Sequence, residues 1–270
     1  MSLAADPDEH LEDGASLRTP DGDNLLLDGV RGMYRAYADL AEDRGGRTGV
    51  VGSIGLADAR SPVPFENWAL TLAPLRSAEV AGAVADARAF HADGDVPWIF
   101  GSAWPVDDLS EHGLQRIGHP PFMVRPTGTV TPLRDTDLRI VEVDSPELAD
   151  VFEQTIGEAY PIDAVLGVPD AALPRKFPAR GWRFFIGYEG DRAVGTSAGW
   201  IGPHDVHVEM ISVRAECRGK GYGAVLTMAP ISCAPEVPSV LIASDDGLSV
   251  YRRLGFVPLV RFGLWLGTPG

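Results

Sequence analysis

The stretch Ile211-Ser212-Val213-Arg214-Ala215-Glu216-Cys217-Arg218-Gly219-Lys220-Gly221-Tyr222-Gly223-Ala224-Val225-Leu226 constrains this chain more than any other, because an apolar strand runs into a glycine-rich turn that opens a helix. Gly219, Gly221 and Gly223 keep side chains away from the backbone, so successive N–H groups can converge on an anion while the helix N-terminus adds its partial positive charge. The competing explanation is a tight strand-to-helix connection with no ligand. Two phosphate signatures fail. A P-loop needs Ser or Thr after Gly-Lys, but Lys220 is followed by Gly221. A dinucleotide fold needs Gly-x-Gly-x-x-Gly early in a βαβ unit, whereas these glycines alternate and lie late in the chain.

Arg218, Gly221 and Gly223 do fit Arg/Gln-x-x-Gly-x-Gly/Ala, and in this the turn resembles the acetyl-CoA pyrophosphate loop of the GNAT N-acetyltransferase superfamily. Downstream, Val240 to Ser244 reads as a short buried strand. Asp245-Asp246-Gly247 then starts a helix that ends in Val250-Tyr251-Arg252-Arg253-Leu254-Gly255-Phe256. A tyrosine before a Gly-Phe pair, after such a strand, is similar to the second GNAT block.

Patterning supplies the surrounding elements. Leu138–Val143 reads as a strand, and Pro146 opens an amphipathic helix carrying Leu148, Val151, Phe152, Ile156 and Tyr160. Residues 182–188 and 193–200 read as a hairpin, 205–213 as the strand entering the glycine loop, and 258–266 as closing strand material. Pro230 should disturb the helix that begins near Gly221. The resemblance implies an α+β GNAT acyl-CoA N-acyltransferase fold, a mixed central sheet flanked by helices, over residues 131–270.

The first half reads as a degenerate GNAT-like repeat. Asp108–Pro121 aligns without a gap against Asp245–Pro258, and a helix-like segment from Ser77 to His91 precedes it. Leu114 stands where Tyr251 stands, and no Arg-x-x-Gly-x-Gly occurs before Ser77. The expected division is an acidic, partly mobile leader at 1–28, the degenerate domain at 29–128, and the acetyl-CoA-binding domain at 131–270. An unrelated α+β domain is the alternative for the first half.

A formal charge of −15 argues against nucleic acid, since a duplex binder presents a basic face. Neither a membrane-spanning run nor a secretion signal is read in the sequence, so a cytoplasmic location is expected. Cys217 and Cys233 are too few for a disulfide framework, and the six histidines show no metal spacing.

Side chains two apart on a strand share a face, which puts His207 and Glu209 together on the strand entering the loop. An alkyl amine titrates near 10.4 and arrives protonated, so its proton must be removed before it attacks a thioester. The resemblance implies Glu209 first and His207 second as base, with Tyr251 as general acid toward the departing thiolate. It also implies that Ile211, Ser212 and Val213 hold the pantetheine arm through their backbone. Arg218, Gly219, Lys220, Gly221, Tyr222, Gly223 and Ala224 would hold the pyrophosphate. For each, packing or surface pairing is the alternative role.

The expected activity is transfer of an acetyl group from acetyl-CoA, as co-substrate and without a metal, to a primary amine of a small molecule, by a monomer or homodimer. A non-catalytic acyl-CoA sensor and an interaction module using the acidic leader are the other readings. The loop at 161–178 and the N-terminal half, with Trp68, Trp98 and Trp104, are expected to line the acceptor pocket.

Overall fold

The computed structural model describes residues 25–128, 134–160 and 180–268. Helix α1 (Leu25–Asp43) opens the described chain, followed by β1 (Arg47–Val51), β2 (Ile54–Asp58), β3 (Asn67–Thr71), α2 (Ser77–His91), β4 (Trp98–Ser102), β5 (Gln115–Gly118) and β6 (Pro121–Arg125). The second half supplies β7 (Leu138–Glu142), α3 (Pro146–Ala159), β8 (Trp182–Glu189), β9 (Arg192–Ile201), β10 (Val206–Val213), α4 (Tyr222–Ile231), β11 (Ser239–Ile242), α5 (Asp245–Arg253), β12 (Val257–Arg261) and β13 (Gly263–Gly267). The expected strands and helices from Leu138 to Ile242 are present within a residue or two, the last helix ends three residues before Phe256, and α2 spans the expected residues.

Two mixed sheets result, and they exchange strands. The first runs β1-β2-β3-β4-β13-β5, and the second runs β12-β6-β11-β10-β9-β8-β7. Thus β13, the last strand of the chain, lies between two N-terminal strands, with Trp265 opposite Phe100 on one side and Leu266 opposite Gln115 on the other. Reciprocally β6 lies between β11 and β12, with Val124 facing both Val240 and Val257. The chains cross at Phe262, whose N–H donates to the Pro120 carbonyl at 2.7 Å and whose ring meets Phe122 at 5.8 Å. Both rings are fully buried, each stabilising the junction by roughly 2 to 3 kcal/mol.

This crossing corrects two expectations. The strand material at 258–266 is two strands in different sheets, broken where Phe262 is anchored. The gap-free alignment of the halves is also out of register. Leu266 faces Gln115 as Val124 faces Val257, and Leu264 faces Gly118 as Phe122 faces Val260, so Gln115 is the counterpart of Val257. The helix of the second copy has shrunk in the first to one 3-10 turn, Leu109–His112, capped by Asp108 and ended by Gly113 at φ 74°. Leu114 is core, 2% exposed.

Helix α1 was not expected. Leu26, Val30, Met33, Tyr37 and Leu40 recur at helical spacing and are buried, and Asp28 sits favourably in the first turn. The end of the segment read as a leader, 25–28, is therefore helical; residues 1–24 lie outside the described part. The helix packs on both sheets, so one core cluster joins Val30 and Leu40 to Leu70 and Ile99 of the first half and to Val240 and Val260 of the second. Trp182 Nε1 donates to the Ala36 carbonyl and Trp200 Nε1 to Asp39 Oδ2, both at 2.9 Å. At Gly32 a Cβ would lie 2.3 Å from Asp205 Oδ2, so any larger residue there would displace the Asp205 carboxylate. Helix α4 holds Pro230 in its last turn, at the loss of one backbone hydrogen bond, and ends one residue later.

Candidate active site

The site originates in a defect of β10. Its pairing with β9 runs through Glu209↔Ala198 and resumes at Ser212↔Thr196, so Met210 and Ile211 together stand opposite Ser197. Met210 takes φ 55°, which costs a non-glycine residue roughly 1 to 2 kcal/mol. Thr196 stabilises the bulge: its hydroxyl lies 2.9 Å from the Met210 carbonyl, to which it donates, and 2.7 Å from Ser212 Oγ. On the other side β10 pairs with β11 only at Val206↔Ser239 and His207↔Val240. Past His207 the two parallel strands part.

The opening is continuous with a cavity of about 790 Å³ lined by both halves. Residues 208–212, which include the bulge, all line it. Ser244 and Tyr251 line it from the N-cap and body of α5, Ile156 and Tyr160 from α3 and its cap, and Tyr37, Phe65, Glu66 and Trp68 from the first half.

His207 and Glu209 are brought together as expected. The imidazole Nε2 lies 2.8 Å from Glu209 Oε1, with His207 wholly buried and the Glu209 side chain 24% exposed. Three phenols surround that carboxylate. The Tyr37 hydroxyl titrates well above its ordinary value, chiefly through burial and then through the nearby Glu209. Tyr251 and Tyr160 are raised by the same two causes in the same order. Tyr251 is 8% exposed, packed against Phe256, yet it faces the cavity.

The glycine loop lies beyond the bulge. Gly219 and Gly221 have φ 79° and 92°, and Gly221 is the N-cap of α4 without a side-chain cap. Among the described residues, none of the N–H groups from Gly219 to Gly223 donates to a backbone carbonyl. A Cβ on Gly219 or Gly223 would meet nothing within 4 Å, so the loop is open on that side. Ala224 donates to the Gly221 carbonyl and fixes the first turn.

The loop's cations turn elsewhere. Lys220 Nζ pairs with Glu189, and Arg218 Nε donates to the Val213 carbonyl at 3.2 Å. The Tyr222 ring is buried among Leu138, Val194 and Leu226, and its hydroxyl lies between the carboxylates of Asp137 and Glu189, with one proton to donate to either. Ile211 and Ser212 line the cavity, whereas Val213 does not. Trp68 lines it too, while Trp98 and Trp104 are core. The loop at 161–178 lies outside the described residues. Both cysteines are free, and no group of three potential metal ligands occurs among the described residues. No described helix is long and apolar enough to cross a membrane.

Sequence reasoning missed Tyr37, Phe65 and Glu66. The spacing of Leu26, Val30, Met33 and Tyr37 could have revealed α1, but no pattern says that Tyr37 meets Glu209.

Residues 153–256 match the model of the acetyltransferase (GNAT) family. Among solved structures, a GCN5-related N-acetyltransferase from Kribbella flavida is 23% identical, covering 92% of this chain and 97% of its own with a TM-score of 0.67. A functionally unknown protein from Staphylococcus epidermidis (15% identical; 83% and 95% covered; TM-score 0.60) and a GCN5-related N-acetyltransferase from Sphaerobacter thermophilus (14%; 90% and 94%; 0.50) share the fold. No curated protein matches the sequence. The chain thus shares the fold of these GCN5-related N-acetyltransferase structures over most of its length, and its segment 153–256 matches the acetyltransferase (GNAT) family model.

Proposed function

We propose that this protein moves an acetyl group from acetyl-CoA to a primary amine of a small molecule. The observation that carries this reading is the bulge at Met210, which parts β10 from β11 and leaves Glu209 and Tyr251 facing one cavity. The chain's residues fit the donor: loop amides without backbone acceptors, held by left-handed glycines at a helix N-terminus, match a pyrophosphate. When bound, the donor supplies the activated thioester.

Glu209 attracts the incoming ammonium and takes its proton, directly or through one water. With its proton on Nε2, His207 donates to Glu209 and fixes the carboxylate's direction toward the cavity. Tyr251 keeps its proton through neutral pH because burial and the nearby Glu209 charge both oppose ionisation, so it can give a hydrogen bond or proton to the thiolate. Burial in the cavity strengthens each of these contacts by excluding water.

The test is a thiol-release assay with acetyl-CoA across a panel of small amines, run beside calorimetry of cofactor binding. Turnover with at least one amine is expected. Tight cofactor binding with silence across the panel would instead support a cofactor sensor.

A further inference from the structure

Glu189 closes β8 at its hairpin turn, opposite Arg192 of β9, and its carboxylate reaches the glycine loop. One oxygen, Oε1, takes the ammonium of Lys220 and stands beside the Tyr222 hydroxyl, while Oε2 lies 4.0 Å from Cys217 Sγ. Asp137, one residue ahead of β7, faces the same hydroxyl at 2.5 Å. The Tyr222 ring is itself fixed in the core. These contacts fall at residues 217, 220 and 222, on both sides of Gly219 and Gly221, the two left-handed positions of the loop. Glycines lose the most conformational freedom on being ordered, and the loop's amides lack backbone acceptors, so its shape depends on these side chains. Lys220 first and Tyr222 second hold the Glu189 carboxyl below the usual carboxylate range, which keeps it ionised at neutral pH.

We infer that Glu189 is a positioning residue for the donor, holding the glycine loop in its anion-ready shape through Lys220 and Tyr222, with Lys220 as its counter-ion and not as a phosphate ligand. This rests on the reading of the loop as the place of the CoA pyrophosphate. A loop that became ordered only on binding would lose affinity to the entropy of ordering, and one already held by side chains does not. Lys220 also offsets part of the negative charge that Glu189 and Asp137 bring beside an anion site. The sign of the effect separates the two roles open to the lysine. If Lys220 were a phosphate ligand, Glu189 would compete with CoA for it, and removing the carboxylate would tighten binding. If Glu189 is a clamp, removing it weakens binding.

The test is calorimetry of CoA binding to the full chain as wild type, Glu189→Leu, Glu189→Gln and Tyr222→Phe, with thermal melts alongside. Glu189→Leu should weaken CoA about 10- to 100-fold, the range for hydrogen bonds to a charged group, and raise KM for acetyl-CoA while kcat at saturation is retained. Glu189→Gln keeps an acceptor for the Tyr222 hydroxyl and should recover most of that loss. Adding Lys220→Met to Glu189→Leu should weaken binding no further, since the lysine acts through the carboxylate. Tyr222→Phe keeps the buried ring and removes one contact, so it should weaken CoA about 3- to 10-fold, and it decides the matter where Glu189→Leu does not fold. Affinity undiminished in Glu189→Leu, or in Tyr222→Phe where Glu189→Leu does not fold, would overturn the inference, and so would an additive loss in the double variant. A wild type that binds no CoA would instead remove the donor reading, and Glu189 would have no donor to position.

Discussion

The wholly buried imidazole of His207 places Nε2 2.8 Å from Oε1 of Glu209, which alone of the two reaches the cavity. In the proposed acetyl transfer, that geometry gives the carboxylate the contact with substrate and the imidazole the orienting role. Glu209→Gln should lower kcat by about 10²- to 10⁴-fold, the usual range for a general base, with the dissociation constant for CoA unchanged. His207→Gln should cost less, with CoA affinity again unchanged. Steady-state kinetics over pH 5 to 9 with parallel calorimetry checks both, and an active Glu209→Gln variant would refute the assignment.

Tyr251→Phe tests the acid. Its hydroxyl is pushed up by burial and by Glu209, so the wild-type rate should show no alkaline loss from this group through pH 10. The variant should retain CoA affinity and lose about 10²-fold or more in kcat. Loss of folding without a kinetic defect in the folded fraction would assign Tyr251 to packing against Phe256 instead.

At Gly221 an added Cβ would reach Thr136 at 3.4 Å, an ordinary contact, so the cost of Gly221→Ala comes from its φ of 92° and not from a clash. That strain is about 1 to 2 kcal/mol, and relieving it turns the loop amides away from their common focus. CoA affinity should fall about tenfold or more, equivalent to about 1.4 kcal/mol. Calorimetry reads this directly.

Asp205, 4% exposed against Gly32 of α1, is pushed up to about 6 by burial and by Asp28, with His207, His204 and Arg35 opposing. In the unfolded chain it titrates near 3.9. Between these values the native state holds a proton that the unfolded state has lost, so stability falls as pH rises from about 4 to about 6 and stays lowered above. Asp205→Asn removes this penalty. It should stabilise the protein at pH 7 by up to about 3 kcal/mol, and the gain should vanish below pH 4. Thermal melts at pH 3.5 and 7 measure the difference.

A fragment of residues 131–270 lacks β6, which leaves β12 with no partner strand in its sheet and β11 with β10 alone, and uncovers Phe262. It should be insoluble or lack near-ultraviolet dichroism, and co-expression with residues 1–128 should restore both. A well-packed fragment would show that the exchanged strand is dispensable.

Much of the second half is legible in the sequence because its signals are local. Pro146 opens α3, Gly219 and Gly221 shape the loop, and the strict pairing of His207 with Glu209 follows from alternation. The bulge is not legible, because Met210 is an unlikely residue for a left-handed backbone and is held there by Thr196, fourteen positions earlier in the chain. Strand exchange is equally hidden. Phe122 and Leu264 have the composition of any buried strand, and nothing local says whose sheet they join. Glu66 and Tyr37 belong to the site only because α1 packs across both sheets.

Since β6 and β13 are each hydrogen-bonded on two sides inside the other half's sheet, the described residues offer no hinge about which the halves could swing. Opening the cavity like a clamshell would tear backbone ladders. Its width is therefore a fixed dimension of the molecule, and admission and release of ligands fall to side chains and loops at its rim.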